Sequence, residues 1–193
     1  MKHTCSFTGH RPNLFSFGYD EDDIRCIELK KVLRNEIQKL IQCDIRNFYT
    51  GMALGVDQWA ALAVLDLKKQ YPSIKLVAVL PCETQANKWT PQQRRQYFDV
   101  ILPFVDDAIL LQTAYTPDCM FKRNRWLVDH AETLLAVHNG SKRGGTAYTM
   151  QYANQCGKRV VIIDPESLLV KYPERNIRPS NPSFRVVKGK RPP

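Results

Sequence analysis

Short apolar runs alternate with longer amphipathic segments along this chain. His3 to Thr8 is a strand-like run that stops at Gly9-His10-Arg11-Pro12. Residues 13–20 carry aromatics and read as a loop. From Glu21 to Gln42, apolar positions fall at Ile24, Ile27, Val32 with Leu33, Ile37, and Leu40 with Ile41. That spacing predicts an amphipathic helix. Asn47 to Thr50 is a second strand, closed by Gly51. Gly55 to Lys69, rich in Ala and Leu, predicts a buried helix, and Lys75 to Leu80 a third strand ending at Pro81. Thr90-Pro91-Gln92-Gln93 is a helix start: a Thr cap, Pro in the first turn, Gln three residues after the cap. Ala108 to Leu111 is the fourth strand, Met120 to His130 a helix, and Thr133 to Val137 the fifth strand. A helix from Thr146 to about Gln155, closed by Gly157, leads into a sixth strand, Lys158 to Ile163.

Repeated strand–helix alternation with apolar strands predicts an α/β fold. Its sheet is mostly parallel and covered on both faces. Right-handed crossovers make it a doubly wound, Rossmann-like three-layer sandwich. Ligands bind such sheets at the carboxyl ends of the strands. The turns at Gly9, Gly51, Pro81 and Gly140 to Gly145 all follow strands, so they should gather on one edge. We read residues 1–168 as one domain and 169–193 as a basic, extended tail.

The chain has 193 residues, 44% apolar and 24% charged, enough for a full core. No apolar run approaches the roughly 18–20 residues that span a bilayer. The first residues lack a secretory pattern, and a cytoplasmic protein is the expectation. Six cysteines form no CxxC pair, which argues against a disulfide framework or a zinc site. Net charge is +9, and +6 of it falls in residues 171–193. Such a tail can touch nucleic acid weakly, or it can be a solvated extension. It lacks the interleaved aromatics of a single-strand groove.

The chemistry concentrates in a few turns. Gly144-Gly145-Thr146 lies between an apolar strand and a helix, where exposed N–H groups and the helix dipole suit phosphate. A plain turn is the competing reading. The Gly140 to Thr146 stretch has Walker-type glycine spacing without the lysine, and no GxGxxG follows the first strand. Asp57, after the Gly51 to Gly55 turn, could meet ribose hydroxyls or simply complement its helix dipole. Arg123 and Arg125 could pair with phosphate. Two residues apart, they cannot share one helix stripe, so one faces the site and the other a structural partner. Trp89 could stack on a base or pack at the core rim. No metal-ligand cluster is visible, and no cofactor is called for.

Phe121 to Val137, Gly144 to Ala153, Gly157 to Val161, and Thr50-Gly51-Met52-Ala53-Leu54-Gly55-Val56-Asp57 together resemble the SLOG (Smf/DprA–LOG) superfamily. The opening Phe7-Thr8-Gly9-His10-Arg11-Pro12 resembles its small YpsA-like branch. The likeness covers about residues 3–165. It implies a Rossmann-like fold with a site for a nucleotide or nucleotide-derived ligand. Gly9, His10 and Arg11 would form its first loop, and Gly51, Gly55 and Asp57 its second. Arg123, Asn124 and Arg125 would line it from a helix, and Gly144, Gly145 and Thr146 would hold phosphate.

Two other branches imply rival functions. The phosphoribohydrolases of the LOG branch carry a glutamate where this chain has Thr149. An N-glycosidase on nucleoside monophosphates or NAD-type compounds would need Asp57 or Glu83 as the carboxylate, with Arg123 beside it. The DNA-processing branch implies single-stranded nucleic-acid binding. The favoured expectation is a non-catalytic binding or sensing protein for a small nucleotide-type ligand. Self-association is compatible with such a fold.

Overall fold

The computed structural model describes residues 3–173. Its strands are β1 (Thr4–Gly9), β2 (Asn47–Thr50), β3 (Lys75–Leu80), β4 (Asp107–Leu110), β5 (Thr133–Val137), β6 (Arg159–Ile163) and β7 (Val170–Lys171). The helices are α1 (Ile24–Gln42), α2 (Val56–Lys68), α3 (Pro91–Arg95), α4 (Cys119–His130) and α5 (Gly145–Gln155). All seven strands join one sheet, ordered β4-β3-β2-β1-β5-β6-β7. The first six are parallel and β7 is antiparallel.

Alternate residues along each strand serve opposite layers. Leu135, Val137, Val161 and Ile163 join the large core that also holds Leu29, Leu33, Ile37, Val64 and Leu67 from α1 and α2. Their neighbours Leu134 and Val160 pack with Val128 of α4 and Ala153 of α5 on the other face. Strands buried on both sides therefore read as continuous apolar runs. The doubly wound, mostly parallel sandwich expected from the sequence is the fold observed.

Local signals account for most boundaries. Thr90 and Gln93 form the reciprocal cap expected of them, Gln93 N–H to Thr90 Oγ1 at 3.3 Å and Thr90 N–H to Gln93 Oε1 at 3.0 Å. The helix then widens into a π-helical turn, Gln96–Ile101, which apolar spacing did not foretell. Trp89 meets Tyr97 edge-on, with ring centroids 5.3 Å apart. β7 falls within residues that the sequence reading gave to the tail. It is two residues long and cannot show an alternation. The chain beyond it is tied down where the Tyr172 hydroxyl donates to Glu36 of α1 at 2.6 Å. Most of the basic tail lies outside the described residues.

Strand order reverses beside β1. β2, β3 and β4 step away on one side, and β5, β6 and β7 follow on the other. In open sheets of this kind such a reversal leaves a crevice past the carboxyl ends. Here it opens between the ends of β1 and β5, which run in register at Gly9 and Val137.

Candidate functional site

The crevice is a cleft of about 180 Å3. From the first loop, Gly9, His10 and Arg11 line it; from α4, Arg123 and Asn124. Asp57 lines it from α2, and Gly144, Gly145 and Thr146 from α5. Nine of the residues singled out in the sequence thus meet at one sheet edge.

The glycines of the first two loops shape the cleft through packing. A Cβ on Gly9 would lie 2.4 Å from Val56 Cγ2, and one on Gly55 would lie 2.9 Å from Pro12 Cδ. Gly51 is the most constrained. Its missing side chain leaves the space taken by the Arg123 guanidinium, whose Nη1 lies 1.1 Å from where a Cβ would stand. Gly51 and Gly55 support the cleft from behind and are not among its lining residues.

Arg123 is 5% exposed and Asp57 6%. Arg123 Nη1 donates to Asp57 Oδ2 at 2.9 Å, and the same oxygen accepts the Ala53 N–H at 3.2 Å. Asp57 is therefore engaged as the arginine's counter-ion and as a clasp on the loop before α2. That argues for the structural alternative over a ribose contact. Arg123 lines the cleft, and its Nε, buried against Gly51, has no hydrogen-bond partner among the described residues. Burial pulls the guanidinium below its ordinary pKa, Asp57 opposes the shift, and the positive charge of Arg11 adds to it.

The Met52 backbone is left-handed at φ 57°. Its carbonyl accepts from Gln85 Nε2 at 3.1 Å and Gln58 Nε2 at 3.4 Å. Thr50 Oγ1 donates to the Asp57 carbonyl at 2.9 Å. This buried polar frame was not foreseen: an isolated Gln or Thr in an apolar segment carries no distinctive signal.

Gly144 caps α5 at φ 100° and ψ 172°, a conformation open to glycine. No side chain among the described residues caps this helix, so its first-turn N–H groups have no side-chain acceptor, and the residues that carry them, Gly145 and Thr146, line the cleft. Thr149 Oγ1 donates to the Gly145 carbonyl at 2.7 Å and is fully buried. The position that carries a catalytic glutamate in the phosphoribohydrolases is thus a closed packing site here.

The loop joining β5 to α5 is tied to the loop after β1. His10 and His138 lie side by side, ring centroids 5.1 Å apart. His10 Nε2 hydrogen-bonds Asn139 Oδ1 at 3.0 Å, and the Gly140 N–H donates to His138 Nδ1 at 3.1 Å. Burial, with His10 adding, pulls the His138 pKa below its ordinary value. Arg143, Met120 and Leu14 also line the cleft and were missed in the sequence. Arg143 could have been found as the residue just before Gly144, and Met120 as one turn ahead of Arg123.

Three sequence candidates lie elsewhere. Arg125 projects from the outer side of α4, where Nε donates to Tyr148 Oη at 2.6 Å. Stripe geometry explains why it parts from Arg123. Trp89 is the core-rim residue already described and does not line the cleft. Glu83 is an exposed residue of the turn after β3, its N–H donating to the Thr113 carbonyl at 3.2 Å. Asp57 is left as the carboxylate at the cleft.

A larger groove of about 660 Å3 lies between α2 and the π-helical turn. Apolar Leu62, Leu65, Val100 and Phe104 dominate it. Its charged rim is self-paired, as in Lys69 with Asp66 at 3.3 Å. Among the described residues, it lacks cations without an ion-pair partner, such as Arg11 and Arg143 at the sheet-edge cleft. Among the described residues, no cluster of His, Cys, Asp or Glu could hold a metal ion, and no helix is long and apolar enough to cross a membrane.

A family model described as the YspA SLOG family matches residues 5–168. The chain belongs to this family. It is 29% identical over 154 residues to a UPF0398 protein of Bacillus thuringiensis (strain Al Hakam), covering 78% of this chain and 82% of that one. It is 27% identical over 152 residues to the UPF0398 protein YpsA of Bacillus subtilis (strain 168), covering 78% and 83%. Among solved structures, it is similar to DNA processing protein A of Streptococcus pneumoniae, with TM-score 0.52 and 17% identity. That match covers 83% of this chain and 50% of the other. DNA processing protein A of Helicobacter pylori, described by its single-stranded DNA binding mode, aligns at TM-score 0.55 and 14% identity, covering 83% and 65%. The SLOG family member thus shares the fold of those proteins while spanning half to two thirds of their length.

Proposed function

We propose that this SLOG protein binds a nucleotide-derived phosphate ligand at the β1–β5 crevice, without catalysis. The observation that carries the reading is the uncapped start of α5 in one cleft with a buried arginine whose Nε has no partner among the described residues. Arg11 and Arg143 add positive charge at the same cleft. Asp57 answers one of these three arginines and leaves a surplus that suits a phosphate. Titration calorimetry with AMP, ADP-ribose and NAD tests it. At least one should bind, and Arg11→Ala and Arg143→Ala should each weaken it about tenfold, the effect of losing a charge-assisted contact. A folded protein silent to all three would refute the proposal.

Glycosidic hydrolysis is the less favoured reading. It needs a carboxylate free to stabilise positive charge or activate water. Asp57 is already held by Arg123 and the Ala53 N–H. Release of free base from AMP, lost in Asp57→Asn, would reverse this ranking.

One observation favours a separate nucleic-acid contact. On the outer face of α4 and α5, the Arg125 guanidinium lies 5.9 Å from the Tyr148 ring and 5.4 Å from that of Tyr152. Phe121, 47% exposed, meets Tyr148 edge-on. Stacked aromatics and cations are what single strands use. Fluorescence anisotropy with labelled oligo-dT should show salt-sensitive binding reduced in Phe121→Ala. Binding that ignores both salt and this substitution would exclude the face.

A further inference from the structure

The size of the cleft limits what part of a nucleotide it encloses. Drug-sized ligands occupy cavities of about 300–1,000 Å3. This one holds about 180 Å3. A phosphate and a sugar would use that space, and a base would have to lie outside it. The lip has suitable surface. Leu14 is 59% exposed yet lines the cleft. Its position is fixed by the turn after β1, where the Leu14 N–H donates to the Arg11 carbonyl at 3.0 Å. Met120 lines the cleft from α4, one turn before Arg123 and next to Asn124 on the same stripe. Phe7 and Ala53 line the cleft too, but both are buried, at 1% and 7% exposure, which leaves Leu14 and Met120 as its more accessible apolar residues.

We infer that the cleft encloses the sugar phosphate of a nucleoside phosphate, while Leu14 and Met120 form an apolar rim that grips the base and sets specificity. This rests on the anion-site reading above. Methionine suits such a rim, being unbranched and polarizable against a flat ring. Covering about 50 Å2 of apolar surface on the rim is worth roughly tenfold in affinity.

Calorimetry with two probes, ribose 5-phosphate and AMP, tests the inference on the full chain. Wild type should bind AMP about tenfold more tightly than ribose 5-phosphate. In Leu14→Ala/Met120→Ala that ratio should fall to about one. An undiminished ratio in the variant would overturn the rim, as would a ratio near one in wild type. Loss of both ligands in the variant would overturn it too, since the two side chains would then serve the anion site itself. If wild type binds neither probe, the anion site fails and not only its rim.

Discussion

Replacing Gly51 with alanine tests how the cleft is built. The new Cβ would lie 1.1 Å from Arg123 Nη1 and 2.1 Å from Cζ. No small adjustment relieves that overlap, so the guanidinium must leave. It then gives up its 2.9 Å bond to Asp57, which is 6% exposed. Breaking a buried pair by removing one partner costs about 3–5 kcal/mol. Asp57 keeps the Ala53 N–H, and Arg123 can swing toward the cleft, so about 2–4 kcal/mol is expected for Gly51→Ala. For a protein of this size, at about 2–4 °C per kcal/mol, that lowers the melting temperature by about 4–16 °C. The assay is a double-mutant cycle by denaturant unfolding with Gly51→Ala, Arg123→Ala and the pair. Most of the alanine's cost should disappear once Arg123 is gone. Strict additivity, or a Gly51→Ala protein as stable as wild type, would refute the reasoning.

Other consequences are as direct. Gly9→Ala drives a Cβ into the β-branched side chain of Val56 at 2.4 Å, and should cost about 1–3 kcal/mol by overpacking in chemical denaturation; a neutral result would mean that α2 shifts freely. His138 is buried with its pKa held below the ordinary 6.5, so the unfolded chain takes up its proton more readily. That neutral imidazole contributes stability above about pH 6.5, which is lost as pH falls below it. The unfolding midpoint should therefore drop more between about pH 7.5 and 5.5 in wild type than in His138→Gln, and equal drops would contradict the assignment. Arg125→Ala should leave AMP binding as it is, because Arg125 faces Tyr148 and Tyr152 on the outer surface; a clear loss of AMP affinity would place it in the cleft.

Much of this was legible because the fold announces itself locally. β2, β3 and β5 lie where their apolar runs end, at Gly51, Pro81 and the turn after Val137. Doubly wound topology implies that turns after strands gather, which groups Gly9, Gly51, Pro81 and Gly144; of these, Gly9 and Gly144 line the cleft. Asp57 and Arg123 join the group through the family resemblance. The roles within the group were less legible. Sequence spacing does not reveal that Gly51 makes room for a guanidinium from a helix 72 residues away. Nor does it show that Asp57 spends its carboxylate on that same group. β7 was missed because two residues show no period. The π-helical turn was missed because one inserted residue changes a ladder without changing the apolar count. The rim residues Leu14 and Met120 were passed over as ordinary apolar positions, and only the end-on view of the sheet marks them.

The central claim is that an anion sits on the start of α5 in the β1–β5 crevice. Amide resonances of the isotopically labelled full chain, followed by NMR during titration with AMP, test it most directly. The account predicts the largest shifts at the N–H groups of Gly145 and Thr146, with Gly9, His10 and Arg11 moving in step. Shifts confined to the outer face around Phe121, Arg125 and Tyr148, or none at saturating AMP, would contradict it.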